Sequence, residues 1–103
     1  MKIIETVRPD EIYNLAGYAT GSGMYDNPSK MLEVNGLAVV KILEVIKSHF
    51  SNIKFCQASS SEIFRGTTTS PQDESTPPNP VSPYGSAKLM AQNAVSLYRE
   101  QHG

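Results

Sequence analysis

The apolar residues of the chain change their period from segment to segment, and the polar runs between them mark the joints. Glu11-Ile12-Tyr13-Asn14-Leu15-Ala16 is a short, largely apolar run introduced by the breaker Arg8-Pro9-Asp10, and it reads as a strand. Residues 2–7 before it read as the end of a helix whose beginning is absent. Asn27 as cap and Pro28 in the first turn open a helix predicted to reach about Ser48. Met31, Leu32, Val34, Leu37, Val39, Val40, Ile42, Leu43, Val45 and Ile46 leave little of it polar. Such a helix expects cover on more than one side, as between a sheet and a second subunit.

Asn52-Ile53-Lys54-Phe55-Cys56-Gln57-Ala58-Ser59 predicts a second strand ending in serines. Residues 65–82 carry Pro71, Pro77, Pro78 and Pro80 among threonines, serines and acids, and read as a long polar loop. Tyr84, Ala87, Lys88, Ala91, Val95 and Tyr98 then recur at helical spacing up to about Gln101, with Gly103 as a stop. Strand, helix, strand, loop, helix is a βαβα order, so the fold class is α/β, with parallel strands and a right-handed crossover. Two parallel strands are too few for an independent sheet, which points to the middle of a larger domain.

Composition narrows the function classes. The chain has 103 residues, 9 Lys+Arg against 10 Asp+Glu and a formal net charge of −1. That balance gives no footprint for nucleic acid or an anionic membrane surface. Hydrophobic residues at 39 % and charged residues at 18 % suit a globular protein. No apolar run approaches the ~20 residues of a membrane span, and the N-terminus lacks a signal peptide's pattern. A single cysteine, Cys56, excludes an intramolecular disulfide and fits a reducing compartment. The expectation is a soluble cytoplasmic protein. Cys56 reads as a buried strand thiol, and His49 and His102 sit at helix ends with no second metal ligand suggested.

The sharpest chemical signal is Ser82-Pro83-Tyr84-Gly85-Ser86-Ala87-Lys88. Tyrosine and lysine at i and i+4 share one helix face. An ammonium beside a phenol favours the phenolate and suits the pair to proton transfer. The ordinary reading is an amphipathic helix that buries a tyrosine and exposes a lysine. Context raises the catalytic one. Ala58-Ser59-Ser60-Ser61-Glu62 falls at the C-terminal end of the second strand, where open parallel sheets place their ligands. Its ordinary readings are a polar turn that caps the next segment and a solvated carboxylate.

These residues together resemble the short-chain dehydrogenase/reductase superfamily, in its extended, nucleotide-sugar-modifying branch, and within it the GDP-mannose 4,6-dehydratase family. The likeness runs through Pro9 to Ala16, Val34-Asn35-Gly36, Ala58 to Glu62, Thr76-Pro77, Ser82-Pro83-Tyr84 with Lys88, and Tyr98-Arg99-Glu100. It implies a partial Rossmann-type doubly wound parallel sheet over residues 1–103, an NAD(P)-binding domain without its N-terminal glycine-rich loop and C-terminal substrate domain. The cofactor implied is NADP, with NAD as the alternative, and the substrate is a nucleotide sugar, GDP-mannose. Leu15, Ala16 and Gly17 would line the cofactor pocket together with Tyr84 and Lys88. Lys88 would hold the nicotinamide ribose and favour the Tyr84 phenolate. Tyr84 would take the 4-hydroxyl proton while hydride leaves C4 for the cofactor, and Ser60 would hydrogen-bond the same oxygen. Glu62 would take the C5 proton and assist loss of water from C6, to which hydride returns. Asn35 would lie beside the active site. A homo-oligomer is implied for the full-length enzyme, and no metal.

The chain departs from the family at several places. Tyr18-Ala19-Thr20-Gly21 replaces a Gln-Ser-His-Val-like run that helps to hold sugar and phosphates, and Arg65 stands where glycine is usual. Gly85-Ser86 is closer to the nucleotide-sugar epimerases. Gly17 to Gly23 spells Gly-x-x-x-Gly-x-Gly, yet Asp26-Asn27-Pro28 interrupts the helix that a phosphate-binding loop requires. Two alternatives stay open: another nucleotide-sugar epimerase, dehydratase or reductase, and a catalytically dead remnant acting as an interaction module. The isolated chain is expected to be inactive.

Overall fold

In chain order, the backbone forms α1 (Lys2–Val7), β1 (Glu11–Asn14), α2 (Pro28–Leu32), a π-helical segment (Glu33–Leu37), α3 (Ala38–His49), β2 (Lys54–Gln57), a 3-10 turn (Ser61–Phe64) and α4 (Pro83–His102). This computed structural model describes residues 2–17 and 27–103. The glycine-rich run beyond Gly17 and its departure at Tyr18-Ala19-Thr20-Gly21 lie outside the described residues. Among those residues no helix is long and apolar enough to cross a membrane.

The two strands pair in parallel, Glu11 opposite Lys54 and Asn14 opposite Gln57, as the βαβα order predicts. Lys54 N donates to Asp10 O at 3.0 Å and Ala58 N to Asn14 O at 3.1 Å, which brackets the ladder. Both strands are shorter than their apolar runs: Leu15 and Ala16 leave the sheet and Leu15 is exposed. Alternation along the strands half-buries Ile12, Asn14, Phe55 and Gln57 and exposes Glu11, Tyr13, Lys54 and Cys56. Cys56 is therefore an exposed thiol, not a buried one. The helices cover one face of the sheet, and Cys56 points to the other.

Asn27 caps the long helix as predicted, its Oδ1 accepting from Lys30 N at 3.2 Å, with Pro28 in the first turn. The helix continues through the π-helical segment into α3 and ends at His49. A π turn widens the helix and shifts the register of side chains beyond it. Met31, Asn35, Gly36, Val39, Leu43 and Ile46 are buried, while Leu32 and Leu37 are exposed. One side of this apolar helix is thus covered within the chain. The cover is α4, whose Gly85, Ala87, Lys88 and Ala91 are buried. Val39, Leu43 and Ala91 form the core, with Phe55, Ala94, Val95 and Tyr98 packed around it.

Ser82 Oγ accepts from Gly85 N at 3.0 Å to cap α4, Pro83 fills its first turn, and Gly103 ends it at φ +86°. The polar loop before it is held at both ends. Gly66 N donates to Asn79 O at 2.8 Å and Asn79 N to Ile63 O at 2.8 Å, and Thr76 is buried. Within it the Ser75 hydroxyl and then the Ser75 amide, bonded to Asp73 at 2.6 and 2.9 Å, hold that carboxyl below its ordinary range.

Two glycines define contrasting tolerances. A Cβ on Gly36 would meet the Met90 methyl, the free end of a flexible, partly exposed side chain. A Cβ on Gly85 would lie 2.9 Å from the backbone carbonyl of Glu62 and 3.1 Å from Pro80 Cβ. Gly36→Ala is expected to hold or raise the thermal midpoint, since alanine is favoured over helical glycine by about 1 kcal/mol. Gly85→Val is expected to cost about 1–3 kcal/mol through overpacking against fixed backbone. Urea unfolding of both variants checks the contrast.

Candidate active site

The site is assembled where the strands end. Asn14 Nδ2 donates to Gln57 Oε1 at 2.8 Å, so the last residues of β1 and β2 are tied through their side chains as well as their backbones. Gln57 Nε2 in turn donates to Ala58 O at 2.9 Å. The same carbonyl accepts from Lys88 Nζ at 3.3 Å, bringing the α4 lysine to the end of the sheet.

Lys88 is 4 % exposed, and burial pushes its ammonium below the ordinary lysine range. Its Nζ stands 5.7 Å from the centre of the Tyr84 ring, one helical turn back, within reach of a cation–π contact. The predicted pair is therefore together, and the lysine is buried rather than solvated.

Gly17 closes this corner from the β1 side. A Cβ there would lie 2.7 Å from Asn35 Oδ1 and 3.5 Å from Lys88 Nζ. The π-helical segment delivers Asn35 to that point, 1 % exposed, with its Nδ2 donating to Met31 Sδ at 2.8 Å. Asn35 and Lys88 thus converge on Gly17. Leu15 and Ala16 follow β1 at the same end and are exposed, Ala16 N donating to Asn14 Oδ1 at 3.3 Å.

The serine-glutamate run forms a second wall. Ser59 Oγ donates to Gln92 Oε1 at 2.9 Å, fastening the strand exit to α4. Ser60 caps the 3-10 turn, its Oγ accepting from Glu62 N at 3.2 Å. Capping uses one lone pair and leaves the hydroxyl proton able to donate. Glu62 is half-buried and pairs with Arg65, Nη1 to Oε1 at 3.0 Å. The turn lies directly on the first turn of α4 because Gly85 has no side chain to keep the Glu62 carbonyl away.

Sequence reasoning missed Gln92, Gln57 and the closeness allowed by Gly85. Only the i, i+3 spacing of Glu62 and Arg65 could have announced a contact in advance. Among the described residues, no group of three or more His, Cys, Asp or Glu is placed to hold a metal ion.

The parallel strands, the covering helices and the pairing of half-buried Tyr84 with buried Lys88 at the strand ends define a partial Rossmann-type domain. Solved structures share this fold. The UDP-glucose 4-epimerase of Brucella ovis in complex with NAD matches at TM-score 0.87 and 22 % identity, over 99 % of this chain and 31 % of that one. A dTDP-4-dehydrorhamnose reductase from Clostridium acetobutylicum matches at TM-score 0.82 and 22 % identity, over 93 % of this chain and 34 % of that one. A family model described as GDP-mannose 4,6 dehydratase matches residues 1–103, and the chain belongs to that family. The GDP-mannose 4,6 dehydratase of Homo sapiens is 38 % identical over 104 residues, covering 99 % of this chain. GDP-mannose 4,6 dehydratase 2 of Arabidopsis thaliana is 36 % identical, covering 97 %. The chain spans 28 % of the length of each of these two relatives.

Proposed function

We propose that residues 1–103 supply the catalytic part of a cytoplasmic, NADP-dependent GDP-mannose 4,6-dehydratase that yields a GDP-4-keto-6-deoxy sugar. The observation that carries this reading is the convergence of Lys88, Tyr84, Gly17 and Asn35 at the strand ends, with the Ser60–Glu62 turn packed beside them. In this reading the chain is an incomplete NAD(P)-binding domain. The phosphate-binding loop and the substrate domain belong to the rest of a homo-oligomeric enzyme, whose second subunit covers the exposed Leu32 and Leu37.

The residues present fit a nicotinamide dinucleotide. Gly17 has no side chain, which lets the exposed strand end lie close against Asn35 Oδ1 and the Lys88 ammonium. Leu15, Ala16, Gly17, Tyr84 and Lys88 would hold the group, which when bound supplies a hydride acceptor and donor. Tyr84, with the Lys88 ammonium 5.7 Å from its ring centre, removes the proton of the sugar 4-hydroxyl. Ser60 donates its free hydroxyl proton to the same oxygen. The ketone formed at C4 acidifies the C5 hydrogen. Glu62 takes that proton and passes it to the C6 hydroxyl, which leaves as water. C6 then takes up the hydride removed from C4, while C5 regains a proton.

Incubation of the whole protein with GDP-mannose and NADP tests the proposal. A product that has lost one water and carries a C4 ketone, with no net consumption of cofactor, is the expected result. A C4 epimer of unchanged mass, or no turnover beside undiminished NADPH binding, would overturn it.

A further inference from the structure

The partner of Arg65 is the acid–base candidate itself, three residues earlier in the chain. The backbone around Glu62 is fixed from both sides. Ser60 caps the turn, Arg65 N donates to Glu62 O at 3.3 Å, and Asn79 N holds Ile63 O at 2.8 Å. Gly66 is clamped in turn by Asn79, whose Nδ2 donates to Gly66 O at 3.0 Å. Gly85 seats the Glu62 carbonyl against α4. What stays free is the rotation of the Glu62 side chain. The Arg65 guanidinium removes part of that freedom by holding Oε1 at 3.0 Å.

Side-chain exposure separates the two partners, 66 % for Arg65 against 24 % for Glu62. An exposed i, i+3 ion pair contributes little to stability, so a stabilising role does not account for it well. Its consequence is directional. A charge-assisted bond to one carboxylate oxygen fixes the plane of the carboxylate and leaves Oε2 to accept a proton.

We infer that Arg65 is a positioning residue that orients the Glu62 carboxylate for removal of the sugar C5 proton, a role resting on the proposed dehydratase reading. Arg65 takes no part in oxidation at C4, which is the work of Tyr84 and Lys88. Its loss therefore separates the two halves of the reaction.

The test compares the whole wild-type protein with Arg65→Gln and Arg65→Lys, using GDP-mannose and NADP. Two steps are followed: the first-turnover rise of NADPH absorbance and the release of dehydrated product. For Arg65→Gln, slowing of elimination by about tenfold is expected, with the absorbance rise, KM and thermal midpoint unchanged, which is about 1.4 kcal/mol of barrier. Arg65→Lys, which keeps a cation but loses the planar fork, is expected to restore part of the rate. Elimination unchanged or faster in Arg65→Gln overturns the inference, as does equal slowing of both steps. A wild-type protein that reduces NADP but never dehydrates the sugar refutes the dehydratase reading instead.

Discussion

Replacing Lys88 with methionine is expected to abolish most activity while making the fold more stable at neutral pH. Loss of a positioned acid–base partner lowers turnover by about 10²–10⁴-fold. The stability gain has a separate cause. Lys88 is buried in the folded chain, where desolvation lowers its ammonium below the ordinary value of 10.5. Between that lowered value and 10.5 the unfolded chain binds more protons, so wild-type stability rises with pH across this window. Below it the full cost of burying the cation is present. Methionine fills a similar volume without charge, and Ala58 O keeps its bond from Gln57 Nε2. Urea unfolding of both proteins from pH 7 to about 10.5 checks the sign. The wild-type curve should climb toward the Lys88→Met curve, and a constant gap would contradict the argument.

Glu62→Gln is expected to separate oxidation from elimination more sharply than any change at Arg65. Glutamine keeps the size of the side chain and can still receive a hydrogen bond from Arg65, so the 3-10 turn and its contact with Gly85 are retained. It cannot take up the C5 proton at working pH. Dehydration should fall by about 10²–10⁴-fold, while hydride removal from C4 proceeds through Tyr84 and Lys88. Reduced cofactor and 4-keto sugar would then accumulate together in rapid-quench experiments. Loss of both steps in equal measure would show that Glu62 positions the substrate rather than moving a proton.

Much of this molecule is written in local pattern. Asn27-Pro28, Ser82-Pro83 and Gly103 act within a turn of themselves, so the helix ends they predict are met. The spacing of Tyr84 and Lys88 likewise needs only the geometry of one helix. The prediction for Cys56 failed because strand alternation states which residues share a face, not which face is covered. Both strands are also shorter than their apolar patterns, since Leu15 and Ala58 continue the pattern past the last paired residue.

The sequence by itself determined the βαβα order, the caps and the types of residue available for chemistry, because each depends on neighbours a few positions apart. Only the tertiary structure decided that Lys88 is buried against Ala58 O, that a π-helical segment brings Asn35 to Gly17, and that the Glu62 turn rests on Gly85. Those arrangements join residues far apart in the chain. They arise from close packing between elements, where the absence of one Cβ decides how near two backbones lie.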